Sequence, residues 1–142
     1  MALTGGLLLV DKSALVRFSG QASPPEDGEL CVCAITRLEL LFSARTPADY
    51  SDLETALDAF RPLRMDTETF AIAATAQREL AATGEHRLPL PDLLVAACAQ
   101  QHSADVLHVD RHFDTLARVL AFRSRRMVRS RLSERLSSPF RA

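Results

Sequence analysis

Four carboxylates occupy comparable places in this 142-residue chain. Asp11 follows the apolar run Leu7-Leu8-Leu9-Val10, and Glu39 lies in the first turn after the run from Leu30 to Ile35. Asp92 follows Leu88-Pro89-Leu90-Pro91, and Asp110 follows Val106-Leu107-His108-Val109. Brought together, such acids would repel and raise one another's pKa unless cations neutralised them. Hard divalent ions suit that task, because Mg²⁺ takes a few carboxylates, keeps several waters and leaves positions open to phosphate oxygens. A Mg²⁺ or Mn²⁺ pair there would activate water on one side of a phosphodiester and stabilise the leaving oxygen on the other. This chemistry needs no Ser or His nucleophile, and the chain contains no GxSxG, CxxC, HExxH, Walker A or GxGxxG pattern.

The elements that must position these acids follow from hydrophobic period. Leu7 to Val10 and Leu30 to Ile35 are short continuous apolar runs, the pattern of strands buried on both faces. Ser13 to Phe18 reads as a first helical segment, ended by Gly20. From Thr36, residues Leu38, Leu41 and Phe42 share one helical face, and Leu53, Leu57 and Phe60 mark another helix closed by Pro62. Pro62 to Met65 reads as a short strand, and Asp66 as the N-cap of a helix carrying Phe70, Ala73, Ala74, Gln77, Leu80 and Ala81, stopped at Gly84. Pro91 suits the first turn of a helix from Asp92 to about His102. Asp105 to Val109 is a further strand, followed by a helix with Phe113, Leu116, Ala117 and Leu120 on one face. Arg123 to Val128 reads as an edge strand protected by its charge. Strands alternating with helices predict an α/β fold, a mostly parallel sheet covered on both faces. In such a sheet ligands bind beyond the carboxyl ends of the strands, the edge where all four acids fall.

A hydrophobic content of 47% and this length suit one domain with a sizeable core. We divide the chain into residues 1–129 as that domain and residues 130–142 as an Arg/Ser-rich tail. The formal charge of −1 hides an asymmetry: 17 acidic against 9 basic residues through Ala117, then 8 basic against 1 acidic from Arg118. A polyanion would be met mainly by that C-terminal stretch or by metal ions. Cys31, Cys33 and Cys98 are too few for a disulfide framework and read as buried core thiols of a reducing compartment. The run Leu7 to Val10, broken by Asp11 and without a preceding basic residue, is neither a secretory signal nor a membrane span, so the expectation is a soluble cytoplasmic protein.

The segments Leu9-Val10-Asp11-Lys12-Ser13-Ala14-Leu15, Ile35-Thr36-Arg37-Leu38-Glu39-Leu40-Leu41, Leu90-Pro91-Asp92-Leu93-Leu94-Val95-Ala96-Ala97 and Leu107-His108-Val109-Asp110-Arg111-His112-Phe113-Asp114 together resemble the PIN-domain ribonucleases, in particular the VapC-type toxins of bacterial toxin–antitoxin pairs. The resemblance runs from about Leu7 to Leu120. It implies a single PIN-like α/β domain that cleaves RNA at a Mg²⁺- or Mn²⁺-dependent acidic site, forms homodimers and is restrained by a VapB-like antitoxin. Asp11, Glu39, Asp92 and Asp110 match the family's acidic quartet. On this reading Asp11, Asp92 and Asp110 hold the principal metal, while Glu39 completes the cluster or positions the attacking water. Asp114 matches an accessory acid, and Ser13 and Thr36 match hydroxyls that orient the ligands. Candidate RNA contacts are Lys12, Arg111, Arg123, Arg125 and Arg126. The chain departs from the pattern at Lys12, where a small or hydroxyl residue is commoner, and from Ala121, which lacks a Gly turn and an apolar last strand.

Each acid also has a purely structural account. Asp11 would cap the following helix, Thr36-x-x-Glu39 has the form of a capping box, Asp92 suits a helix dipole, and Asp110 with Arg111 would make a loop ion pair. His108 and His112 straddle a strand end and a helix start, which argues against a zinc pair. Two rival functions remain: a catalytically silent PIN-like module that binds RNA or protein, and a phosphatase with Asp11 as nucleophile. The second lacks the further Asp two residues on that such enzymes carry.

Overall fold

Leu9 and Val10 are adjacent in a strand and so face opposite sides of it, and each founds a separate core. The computed structural model describes residues 6–18 and 25–127. Five strands, β1 (Leu7–Val10), β2 (Glu29–Cys33), β3 (Arg61–Leu63), β4 (Asp105–His108) and β5 (Ser124–Arg126), form one sheet in the order β3-β2-β1-β4-β5. Every neighbouring pair is parallel. The connecting helices are α1 (Lys12–Leu15), α2 (Ala34–Phe42), α3 (Pro47–Leu57), α4 (Thr67–Ala81), α5 (Leu90–His102) and α6 (His112–Leu116). Leu9, Cys31, Cys33 and Val106 pack with residues of α4, α5 and α6, whereas Val10, Val32 and Leu107 pack with α1, α2 and α3. Helices thus cover both faces, and the three cysteines are free and buried, as the sequence predicts.

Local chemistry sets the helix ends. Thr46 caps α3 by accepting the Asp49 amide at 3.0 Å, and Pro47 fits the first turn because it has no N–H to leave unpaired. Asp66 caps α4, its amide donating to Thr69 Oγ1 at 2.9 Å while its own side chain accepts from Glu68 N at 3.1 Å. Gly84, at φ +73°, turns the chain out of α4, and the Glu85 amide reaches back to Leu80 O at 2.9 Å. Along α5, Val95, Ala96, Ala97, Cys98 and Ala99 are all fully buried; four of these five side chains are no larger than a thiol, which lets the helix lie close against the sheet.

Two predicted faces are corrected. In α2, Leu41 is buried, but Leu38 is 62% and Phe42 91% exposed. The face against the sheet is Thr36, Leu40 and Leu41, because α2 starts at Ala34, inside the apolar run read as strand. In α4 it is Thr69, Ala73, Ala76 and Leu80 that turn inward, leaving Phe70 exposed. Thr69 is drawn in by hydrogen bonds with the Asp66 amide and the Gln101 side chain. Among the described residues no helix is long and apolar enough to cross a membrane. The predicted tail at residues 130–142 lies outside the described residues.

Candidate active site

The chain moves from β1 outward through β2 to β3, then returns to place β4 on the other side of β1. The gap between β1 and β4 at their carboxyl ends is therefore a topological switch point, where loops diverge and a crevice opens. Asp11 and Asp110 border it.

Asp11 continues the ladder past β1, donating its amide to Leu107 O at 3.0 Å. Its side chain is almost fully buried, and Oδ2 accepts both the Ser13 amide at 3.0 Å and the Ser13 hydroxyl at 2.7 Å. It does cap α1, as the structural account predicts. The Ser13 oxygen in turn accepts the Val109 amide at 2.9 Å, tying the end of β1 to the end of β4.

Asp92 lies in the first turn of α5, with its side chain 13% exposed. Burial, reinforced by the charges of Asp11 and Asp110, pushes its pKa up to about 6, against the opposing bond from His112. Asp110 Oδ1 accepts the His112 amide at 3.0 Å. His112 Nδ1 sits 2.8 Å from Asp92 Oδ2 and 3.0 Å from Asp110 Oδ1, so one atom from each of the three residues falls within a 4.8 Å cluster. Glu39, half-buried on α2, has its pKa raised by burial and by the charge of Asp11, with Lys12 pulling the other way. Asp11 thus acts electrostatically on both Glu39 and Asp92.

His112 was not predicted to belong here. The sequence signal was its place two residues after Asp110, where a helix start returns the side chain toward the preceding acid. His108, by contrast, is buried at the end of β4 and bonded to Ser124. The predicted capping box at Thr36 and Glu39 does not form. The N-cap of α2 is Cys33, and Thr36 lies fully buried inside the helix with its hydroxyl 3.7 Å from Cys33 Sγ. Glu39 is thereby free of a capping duty.

Other predicted residues stand apart from the centre. Asp114 is exposed and paired with Arg126 at 3.0 Å. Arg123 pairs with Asp105 at 3.4 Å, and Arg125 with Asp27 at 3.1 Å and Asp105 at 3.7 Å. Asp105 opens β4, so these two arginines fasten the edge strand at the end of the sheet away from the acids. Arg111 is exposed at the start of α6, close to Asp110.

The donor set fits a hard divalent cation. Three buried or half-buried carboxylates with an imidazole between two of them make a site where burial, and then the neighbouring charges, raise the Asp92 pKa, and a cation would offset both.

A parallel α/β sheet with carboxylates beside its switch point places acids where such sheets bind their ligands. The family model described as PIN domain matches residues 8–119, and the chain belongs to that family. Its relatives lie in one branch of it. Ribonuclease VapC17 of Mycobacterium tuberculosis is 41% identical over 114 residues, covering 77% of this chain and 86% of the relative. Ribonuclease VapC51 of the same organism is 36% identical over 117 residues, covering 78% and 85%. Among solved structures, VapBC-5 of M. tuberculosis superposes with a TM-score of 0.66 at 22% identity, covering 85% of this chain and 98% of that one. VapBC2 of Rickettsia felis bound to a promoter DNA fragment gives 0.68 at 12% identity, covering 86% and 99%. These two likenesses concern the fold.

Proposed function

We propose that this protein is a Mg²⁺- or Mn²⁺-dependent endoribonuclease and the toxin of a VapBC-type toxin–antitoxin pair. The observation that carries the reading is the cluster of Asp92, Asp110 and His112 at the switch point, with Asp11 buried at the end of the neighbouring strand and its charge acting on Asp92 and Glu39. Relatives named Ribonuclease VapC support it. Asp92 and Asp110 hold the cation with His112 between them, and Asp11, whose charge reaches Asp92, completes the set. When bound, a divalent ion lowers the pKa of water and offsets charge on a phosphodiester. Glu39, whose pKa is raised by burial and by the charge of Asp11, positions water and takes its proton. Ser13 fixes the orientation of Asp11.

A VapB-like antitoxin would cover apolar surface that this chain leaves exposed, and Leu38, Phe42 and Tyr50 on α2 and α3 supply such surface. A homodimer in the cytoplasm, with residues 1–129 as the catalytic domain and 130–142 as a basic tail, completes the proposal. The test is cleavage of a labelled tRNA or total-RNA pool by antitoxin-free protein in Mg²⁺ or Mn²⁺, then in EDTA, beside Asp11→Asn. Cleavage that needs the ion and is lost in the variant is expected. RNA binding without any cleavage would instead support the silent module.

A further inference from the structure

Beside the acids lies a cleft of about 540 Å³ whose walls include Ser13, Arg17, Asp110, Arg111 and Arg126. Ser13 and Asp110 belong both to this cleft and to the acidic centre, so the two are continuous. Its cations are not equivalent. Arg126 is engaged by Asp114 at 3.0 Å. Arg17 and Arg111 enter no ion pair among the described residues. The Nε of Arg17 is moreover shut off from water with no hydrogen-bond partner there. A guanidinium without an ion pair on the wall of a cleft offers a planar fork of donors that suits a pair of phosphate oxygens.

The acids alone would repel RNA, so a nuclease built on them needs fixed positive charge close by. We propose that this cleft binds a non-scissile phosphodiester adjacent to the cleaved bond, with the Arg17 and Arg111 guanidinium groups donating to its non-bridging oxygens. This subsite rests on the nuclease reading above. It makes Arg17, just beyond α1, a substrate-positioning residue and gives the enzyme a requirement for a charged phosphate on one side of the cut. Arg123 and Arg125, held at the opposite end of the sheet, have no part in it.

The experiment uses an oligoribonucleotide with a mapped cleavage position and versions carrying one neutral methylphosphonate at each neighbouring linkage. Wild-type protein in Mg²⁺ or Mn²⁺ should show KM raised about tenfold by the neutral linkage at one of those positions. Arg17→Gln should raise KM for the native oligonucleotide by a similar factor, and the same methylphosphonate should then cause no further rise. The dependence of binding on salt should lose about one unit of slope in Arg17→Gln. Arg17→Lys should recover the slope and not the KM, because it keeps the charge and lacks the planar fork of the guanidinium. Arg78→Gln, on the exposed side of α4, controls for net charge and should match wild type. Should Arg17→Gln fail to fold, Arg111→Gln runs the same cycle at an exposed position. Cleavage that is indifferent to every neighbouring methylphosphonate, or losses that add in full, would overturn the subsite while leaving the nuclease reading intact. No cleavage by wild type would overturn both.

Discussion

Ser13 donates its hydroxyl to Asp11 Oδ2 at 2.7 Å and thereby holds the first acid of the chain in register with the strand that leads to the last. The same oxygen accepts the Val109 amide at 2.9 Å, one residue before Asp110. Ser13→Ala removes both bonds. It should weaken divalent-ion affinity by about 10–100-fold and lower stability by about 1–2 kcal/mol. Titration calorimetry with Mn²⁺ and thermal melts read the two effects, and Ser13→Thr should restore the first.

Asp92 makes the metal-free fold sensitive to pH. Its pKa is raised to about 6, so the fold favours the protonated form. The corresponding stability is present below the unfolded value near 4 and is lost as pH rises through about 6. In EDTA, Asp92→Asn should therefore melt higher than wild type at pH 7.5, by on the order of 1–3 kcal/mol, with the gap closing toward pH 4. Divalent-ion affinity should fall by about tenfold per pH unit below 6, since binding must displace that proton. A gap that persists at pH 4 would show that the Asn acts through something other than charge.

The buried His108 sets the backbone of Asp110 through a chain of bonds. The Asp110 amide donates to His108 Nδ1 at 3.1 Å, so the ring proton lies on Nε2 and is donated to Ser124 Oγ at 2.6 Å. The Ser124 hydroxyl donates onward to Asp114 at 3.3 Å. Burial lowers the His108 pKa, consistent with this neutral ring. Ser124→Ala leaves the Nε2 proton without a partner and should cost about 1–3 kcal/mol, read by denaturant melts, with metal affinity reduced less than in Ser13→Ala.

Phe42, 91% exposed at the end of α2, contributes little to the fold of the isolated chain. Phe42→Ser should change its stability by no more than about 0.5 kcal/mol. If α2 is the surface an antitoxin covers, the same change should weaken toxin–antitoxin binding by tenfold or more. Calorimetry with the cognate partner measures it.

The sheet and its acid-bearing edge were legible because they depend on local pattern. Leu7 to Val10 is a short apolar run ending at a carboxylate, and Asp105 to Val109 repeats it, so strand ends and acids could be read together. The rest depended on contacts distant in sequence. His112 joins the centre only because α5 brings Asp92, 20 residues earlier, to within 2.8 Å. Thr36 has the sequence form of a cap, yet α2 starts two residues earlier and buries it. Leu38 and Phe42 have core-like types, and only the packing of Leu40 and Leu41 decides that they face outward. Arg123 and Arg125 looked like guides for RNA because charge along a chain does not reveal which end of a sheet it reaches.

The central strand takes one neighbour from residues 29–33 and the other from residues 105–108. A ribosome that has passed residue 104 has already made Asp11, Glu39 and Asp92, but not the strand that lines up beside Leu8, Leu9 and Val10. Non-local parallel pairing of this kind closes late and slowly. A growing chain therefore carries Asp11, Glu39 and Asp92 before the strand that brings Asp110 to the same edge exists, and that edge is complete only once residues 105–108 have folded back beside β1.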